Sequence, residues 1–574
     1  MKIILHQTQH IMADFLSIFE SIKKDYIHTP KEVCLHLYSE LFLTGYPLGD
    51  VLLYKGFIEK YKNFLNQINE WSLSLSAPTF SQGYLLGGID YVKNTKDEVE
   101  KIYNCIYFLE PGKKLRVIYR KKNIPHYDIF DESKYFSPSP QEDSPTIWSW
   151  NGFNFLLLIC EDMWIKTTYS INGNPLCQEH KESIHAIINL SASPFHYLKE
   201  EERLQRGLEL FRQFLVPFFY VNRIGSADEI LFDGRSFIIE KEDKIHFCPA
   251  FKEKDLEFTL EKVEKEVHTK GILQATTPWD YALTSLESLN DAQIELIIES
   301  LIFGIRSYAK ACGIKQFVLG LSGGLDSSLV LTLLSMAFPA DAIHPVFMPS
   351  KHTSILSNDL SVLHCKKLGM SLIYYPIKFI QSTLERQFEV VLSSSLNNLA
   401  YENLQSRIRG LNLLAIANQI NAVVINTSNK SEIAVGYSTI YGDSIGAISP
   451  LGDLFKTQVF QIATYLHKKN PDLIPLEVIH RPPSAELHDG QLDSDSLPPY
   501  EILDKILDLL LSQRFTQQDI IAQGFRESDV VKTFNLFERN EFKRKQFPLI
   551  IKVAPKSFGF GHRVVICKAS NIFC

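Results

Sequence analysis

Phe317-Val-Leu-Gly-Leu-Ser-Gly-Gly-Leu-Asp-Ser-Ser-Leu-Val-Leu-Thr-Leu-Leu334 decides the fold of the carboxyl-terminal half of the chain. Residues 317–321 form a predicted buried strand and 329–334 a buried helix face, so the segment between them, Ser322-Gly-Gly-Leu-Asp-Ser-Ser328, opens a helix. Gly323 and Gly324 let the backbone approach a ligand, Ser322, Ser327 and Ser328 offer hydroxyls, and the helix end supplies free N–H groups and partial positive charge. Such a loop selects an anion. It carries no lysine and is not the Gly-x-x-x-x-Gly-Lys-Ser/Thr phosphate loop; an acid, Asp326, takes the place of the base. A carboxylate beside phosphates implies a magnesium ion between them.

Outward from this loop, strands are predicted at 343–348, 371–375 and 422–426, alternating with helices. That is the signature of a doubly wound parallel α/β sheet, which binds nucleotides at the carboxyl ends of its strands. A helical pattern over 286–312 leads into it. Upstream, short apolar strands at 2–5, 32–37, 84–89, 153–159, 186–190 and 218–221 alternate with amphipathic stretches, giving a layered α/β domain. Residues 251–266, dense in Lys and Glu, are read as a solvated face or a connection. We expect a first domain over 1–270, a connection over 271–285 and a second domain over 286–574, with a mobile loop at 392–398.

Composition narrows the function. The 574 residues exceed what one core supports. A net charge of −7 gives no general attraction for nucleic acid or anionic membrane, so neither is expected as a partner. The first residues turn polar after three apolar ones, and no apolar run approaches ~20 residues, so a cytoplasmic location is expected. Nine scattered cysteines with no Cys-x-x-Cys pair suggest neither a disulfide framework nor a structural zinc site.

One cysteine stands apart. Cys160 follows the predicted strand 153–159 and precedes Glu161-Asp-Met-Trp164, which puts a nucleophile at a strand end; a lone cysteine there is more often a small buried hydrophobe. Glu40, in Glu40-Leu-Phe-Leu-Thr-Gly-Tyr-Pro47, lies just past another strand. Lys121, in Lys121-Lys-Asn-Ile-Pro-His-Tyr127, precedes a proline turn and Phe130-Asp-Glu132. Together they resemble the Glu–Lys–Cys triad of the nitrilase superfamily. The resemblance implies an α-β-β-α sandwich that hydrolyses amides, with Cys160 as nucleophile, Glu40 as general base and Lys121 as stabiliser of the oxyanion. Lys121 is preferred to Lys122 because it stands four residues before Pro125, as in the family's Lys-x-x-Leu-Pro pattern. Asn189-Leu-Ser-Ala-Ser-Pro-Phe195 and Lys199 also resemble family motifs, which implies that Tyr127, Ser193 and Lys199 line a glutamine pocket. His126, where the family usually has asparagine, and Arg235, in a run usually of small residues, depart from the pattern.

The Ser322–Ser328 loop resembles the pyrophosphate loop of the N-type ATP pyrophosphatases, with an adenine nucleotide alpha hydrolase-like sheet. Glu402-Asn-Leu-Gln-Ser-Arg-Ile-Arg409, Asn426-Thr-Ser-Asn-Lys-Ser-Glu432, Pro450-Leu-Gly-Asp-Leu-Phe-Lys456 and Glu541-Phe-Lys-Arg-Lys-Gln-Phe-Pro548 are similar to motifs of the NAD synthetases. By that similarity, Ser322 to Ser328, Thr427 and Lys456 bind ATP, and Asn403, Arg407, Glu432 and Lys543 bind deamido-NAD. Asp326 and Glu432 share a magnesium ion. The segment 483–500 matches one that folds over the active site, with Ser494 where an acid is common, and 557–563 is less arginine-rich than the family version.

Both sets of motifs in one chain resemble the glutamine-dependent NAD synthetases. The resemblance implies a carbon–nitrogen ligase that uses ATP, deamido-NAD and L-glutamine or ammonia, needs Mg2+ and forms a homo-oligomer. Free ammonia is mostly ammonium at neutral pH, which is a reason to fuse its source to its consumer. Two other readings compete. The acceptor could be that of the GMP or asparagine synthetases, against which the nitrilase-type amidase argues. Alternatively, the amino-terminal half could be an inactive scaffold around an ammonia-using synthetase, against which the intact triad argues.

Overall fold

The computed structural model describes residues 1–29, 32–75, 80–95, 99–140, 147–164, 170–171, 174–175, 183–262 and 288–567. Two compact units emerge, Met1–Ala227 with Leu231–Ala282, and Asp228–Ile230 with Leu283–Cys574. The expected connection at 271–285 lies outside the described residues.

The first unit holds two six-stranded sheets. One is built from β1 (Lys2–Gln7), β2 (Cys34–Leu37), β3 (Gln82–Lys93), β4 (Val99–Leu109) and β5 (Arg116–Arg120). The other contains β6 (Ile147–Trp150), β7 (Phe153–Ile159), β8 (Ala186–Ser191), β9 (Phe218–Asn222), β10 (Phe237–Lys241) and β11 (Lys244–Phe247). The last strand, β12 (Lys254–Thr259), joins the first sheet, so the orders are β12-β1-β2-β3-β4-β5 and β11-β10-β9-β8-β7-β6. Successive strand side chains face opposite sides. On β7, Phe155, Leu157 and Ile159 fill the core shared with Leu5, Leu37 and Leu85 of the first sheet, while Leu156 and Leu158 enter a second core. That second core is closed by Leu208, Leu210 and Phe214 of helix α3 (Lys199–Phe214). On the first sheet's far side, α1 (Phe15–His28) and α2 (Lys55–Ser74) supply the cover; Tyr61 of α2 accepts a hydrogen bond from the Ile89 backbone N–H of β3 at 3.0 Å. The result is the expected α-β-β-α sandwich.

β12 corrects the expectation for 251–266 over Lys254–Thr259; residues 263–266 lie outside the described residues. Six of these residues pair antiparallel with β1. The charge density misled because β12 is an edge strand: Leu256 and Phe258 pack against the core while Lys254, Asp255 and Glu257 face solvent.

The second unit is built around the parallel sheet β15-β14-β13-β16, made from β13 (Phe317–Gly320), β14 (Ile343–Phe347), β15 (Ile373–Tyr374) and β16 (Val423–Val424). The predicted strands 371–375 and 422–426 shrink to two residues each because only those meet a neighbour in register. Helix α4 (Asp291–Cys312) starts where Asn290 caps it: Asn290 Oδ1 accepts from the Gln293 N–H at 2.9 Å, and Gln293 Oε1 accepts from the Asn290 N–H at 3.0 Å. Helix α5 (Leu325–Ala337) follows the glycine-rich loop, and α6 (Ile355–Lys367) packs beside β14. Residues 392–398 join α7 (Lys378–Leu392) to α8 (Asn398–Gln419), whose N-terminus Asn397 caps. Strand order reverses between β13 and β16, which opens a crevice at their carboxyl ends.

Candidate active sites

In the first unit a lysine is buried between two acids. Glu40, three residues past β2, and Lys121, which directly follows β5, are each 1% exposed. Glu40 Oε1 accepts from Lys121 Nζ at 2.7 Å and from Asn104 Nδ2 at 2.8 Å; Oε2 accepts from the Ala192 backbone N–H at 2.8 Å. Lys121 Nζ also donates to Glu132 Oε2 at 2.8 Å, and Glu132 Oε1 accepts from the Tyr46 hydroxyl at 2.9 Å. Burial works against the Lys121 charge, but Glu132 and Glu40 outweigh it and hold its pKa well above the ordinary value. Glu132 is pushed up to about 7, first by burial.

Cys160 sits at the end of β7 with φ of 44°, in the left-handed region, and opens the short turn Cys160–Met163. A non-glycine residue there costs about 1 kcal/mol or more, so the surroundings must impose it. Asp162 does so. Its Oδ2 accepts from the Ile159 N–H at 3.1 Å and the Tyr119 hydroxyl at 2.9 Å, and its Oδ1 from the Asn123 N–H and Nδ2 at 2.9 and 3.0 Å. One carboxylate therefore ties the turn bearing Cys160 to the segment bearing Lys121. Burial raises the Cys160 pKa well above the usual thiol value; Glu40 adds to this and Lys121 opposes it. The resting group is a thiol that needs a base.

Of the expected glutamine-pocket residues, Tyr127 donates its hydroxyl to Glu161 Oε2 at 3.0 Å. Lys199 opens α3, pairs with Glu202 at 2.7 Å and stands 5.1 Å from the centre of the Trp164 ring. Ser193 Oγ accepts from Arg203 Nε at 3.1 Å, and Arg203 is itself buried and paired with Asp233 at 2.8 Å. Tyr127 thus adjoins the residue that directly follows Cys160 and Lys199 the residue that ends the Cys160–Met163 turn, whereas Ser193 is engaged by Arg203. Lys122 is half-buried and meets Asp162 through its backbone N–H at 3.2 Å. Arg235 donates to Glu200 at 2.7 Å, and His126 is exposed.

In the second unit the crevice holds a cavity of about 280 Å³. Ser322, Gly324, Leu325, Asp326 and Ser327 line it from the loop, and Thr427, Glu432 and Lys456 from beyond β16. Gly323 has φ of 74°, and a Cβ there would lie 2.5 Å from the Ser357 carbonyl oxygen, so the loop requires glycine. Gly324 caps α5, while Ser328 Oγ is buried without a partner. Lys456 Nζ donates to Asp326 Oδ2 and stands 3.8 Å from Glu432, and Asn429 Nδ2 donates to Asp326 Oδ1 at 3.0 Å. Burial, then Asp326, push Glu432 up to about 8. Two carboxylates beside a loop shaped for phosphate fit a magnesium ion, which typically takes one or two of them with the phosphates.

Asn403, Arg407 and Lys543 do not line this cavity. They converge on the segment 436–443 instead. Asn403 Oδ1 accepts from the Thr439 hydroxyl at 2.7 Å, Arg407 Nε donates to the Ile440 carbonyl at 3.3 Å, and Lys543 Nζ donates to the Gly436 and Ser438 carbonyls at 2.7 Å each. Tyr437, Gly442 and Asp443 of the same segment border the cavity. Ser494 is exposed.

Sequence reasoning passed over several residues that the structure brings in. Glu132 ends the stretch Phe130-Asp-Glu132, and its signal is physical: a lysine that is to be buried needs carboxylates to neutralise it. Arg409 lines the cavity two residues beyond Arg407, with its pKa lowered to about 10 by burial. Asn104 and Asp162 carry no signal in a single sequence.

Fold and clusters together define a nitrilase-type unit joined to an N-type ATP pyrophosphatase-like unit. The NAD synthase family model matches residues 297–547. The glutamine-dependent NAD(+) synthetases of Synechocystis sp. and Acinetobacter baylyi are 34% and 33% identical to the chain, each over 93% of it and 92% of their own length. The chain belongs to the glutamine-dependent NAD(+) synthetase family. Among solved structures it resembles the Acinetobacter baumannii glutamine-dependent NAD+ synthetase in complex with ADP (28% identity, TM-score 0.69, 98% of both chains). It shares its fold with the Cytophaga hutchinsonii enzyme (17% identity, TM-score 0.76, 99% of this chain and 98% of the other).

Proposed function

We propose that the chain makes NAD by amidating deamido-NAD with nitrogen taken from glutamine. Glu40 takes the Cys160 thiol proton, the sulfur attacks the side-chain amide carbon of glutamine, and Lys121 donates to the oxygen on which negative charge develops. Glu40 returns the proton to the departing ammonia, and water then releases glutamate from the thioester. Tyr127, Ser193 and Lys199 hold the glutamine. Glu132 keeps Lys121 an ammonium and aims it.

In the second unit the nicotinate carboxylate of deamido-NAD attacks the α-phosphorus of ATP and pyrophosphate leaves; ammonia then displaces AMP. The Ser322–Ser328 loop, Thr427 and Lys456 bind ATP, and Asn403, Arg407, Glu432 and Lys543 bind the dinucleotide. Asp326 and Glu432 would hold Mg2+, which when bound neutralises phosphate oxygens. A cytoplasmic setting is supported by free thiols at all seven cysteines among the described residues. Among those residues, no helix is long and apolar enough to cross a membrane. A homo-oligomer is supported by the exposed apolar side chains of α7 and α8, including Phe379, Val390, Val391, Leu399 and Leu411.

The observation that carries this reading is the Lys121 ammonium buried between Glu40 and Glu132 beside the Cys160 thiol. An inactive scaffold has no need for so costly an arrangement. Incubating the protein with ATP, Mg2+ and deamido-NAD, and with either glutamine or ammonium salt, tests it. NAD from both donors and glutamate from glutamine are expected; NAD from ammonia with no glutamate release would favour the scaffold.

A further inference from the structure

Among the carboxylates that line the cavity of the second unit, those of Asp326, Glu432 and Asp493 act together on the Lys456 ammonium. Asp326 and Glu432 belong to the proposed magnesium site, but Asp493 has no role in it so far. It comes from a different part of the chain, the short turn Asp493–Asp495, and is 6% exposed. Its backbone is fixed: the Asp493 N–H donates to the Pro483 carbonyl at 3.2 Å, and the Leu497 N–H donates to the Asp493 carbonyl at 2.9 Å. Its two carboxylate oxygens differ. Oδ2 accepts from the Tyr500 hydroxyl at 2.9 Å, whereas Oδ1 is buried with no hydrogen-bond partner. The Tyr437 hydroxyl also interacts with this carboxyl, but no donor reaches Oδ1 in hydrogen-bond geometry.

A buried acceptor without a donor is costly, and a carboxylate more so than a neutral group. The working state therefore brings a donor to Oδ1. Phosphate oxygens are acceptors and cannot serve. Direct ligation of one ion by all three carboxylates does not fit the spacing: among the described residues, no three His, Cys, Asp or Glu groups stand close enough to hold one ion. Magnesium, however, gives up its waters reluctantly, keeps several of them when bound to one or two carboxylates, and those waters are hydrogen-bond donors.

We propose that Asp493 is a positioning residue for the magnesium ion: its Oδ1 accepts a hydrogen bond from a water bound to the ion that Asp326 and Glu432 ligate, while Tyr500 fixes the carboxylate through Oδ2. This rests on the magnesium site proposed above. It gives the segment 483–500 a stake in the metal, so that the segment folded over the site and the loop beneath it grip the same hydrated ion.

The test uses the full chain, Mn2+ as the probe and α,β-methylene-ATP as a nucleotide that cannot be cleaved between its α- and β-phosphates. Free Mn2+ is followed by electron paramagnetic resonance. The wild type is expected to bind Mn2+ with the analogue, and Asp326→Asn to lose it. Asp493→Asn is expected to weaken Mn2+ by about 10–100-fold, the range seen when a group that orients a metal's ligands is removed. Its affinity for the analogue without metal, and its thermal unfolding temperature without either, should not fall below those of the wild type. If the asparagine variant fails to fold, Asp493→Ser, which is smaller and uncharged, is read in the same way. Wild-type Mn2+ affinity in a folded variant overturns the proposal. So does an equal loss of analogue binding without metal, which would make a hydroxyl of the nucleotide the missing donor. A wild type that binds no Mn2+ with the analogue overturns the magnesium site, and this role with it.

Discussion

Lys121 Nζ lies 2.7 Å from Glu40 Oε1, with both side chains buried and 81 positions apart in sequence. Neither group can lose the other and turn to water. Lys121→Ala should reduce glutamine hydrolysis by about 10²–10³-fold, the cost of one oxyanion donor. It should also lower stability by about 3–5 kcal/mol, because Glu40 and Glu132 are left buried and uncompensated. Glu40→Gln should cost about 10²–10⁴-fold through lost proton transfer. Lys122→Ala should change little. Glutamate release and thermal unfolding read all three; an inactive Lys122 variant beside an active Lys121 variant would contradict the choice between the neighbours.

Glu132 gives the pair a pH signature. Its folded pKa is raised to about 7 from the usual 4.5, first by burial. Its favourable contribution is therefore fully present below about 4.5 and is lost as pH rises through about 7. Glu132→Gln, which mimics the protonated acid, should gain on the wild type in melting temperature between about pH 5 and pH 8. Calorimetry at both pH values checks it, and a difference that does not change, or that moves the other way, contradicts it.

Asp326→Asn should abolish synthesis from both glutamine and ammonia, since the adenylation that precedes either nitrogen transfer needs the metal and phosphate geometry. Glutamate release from glutamine should persist. Near-normal NAD formation by this variant would remove the metal role of Asp326.

What the sequence made legible was local. The triad and the phosphate loop could be read because each of their residues sits in a run whose neighbours carry information: a strand before Cys160, a proline after Lys121, glycines before Asp326. Glu132 and Asp162 were not singled out because their importance comes from partners far away in sequence, such as Tyr46 and Tyr119. The strand β12 was hidden by its charged outer face. Arg407 and Arg409 are two residues apart on one helix, and only the packing of α8 decides which one reaches the cavity.

That pair separates in a prediction. Arg409 lines the cavity and donates from Nε to the Met348 carbonyl at 3.1 Å, whereas Arg407 is exposed and meets the 436–443 segment. Arg409→Ala should raise the KM for ATP, and Arg407→Ala that for deamido-NAD. Steady-state kinetics with each substrate varied in turn checks it; the opposite pattern would exchange their assignments.

The central claim is that two separate chemistries share one chain, with Cys160 serving only the first. Truncation to alanine removes the nucleophile and adds neither bulk nor charge, so the second unit should be untouched. The direct measurement is NAD formation by Cys160→Ala with saturating glutamine and, separately, with a high concentration of ammonium salt. No synthesis from glutamine and near wild-type synthesis from ammonium are predicted. Retained use of glutamine would refute Cys160 as the nucleophile, and loss of ammonia use would contradict the independence of the two sites.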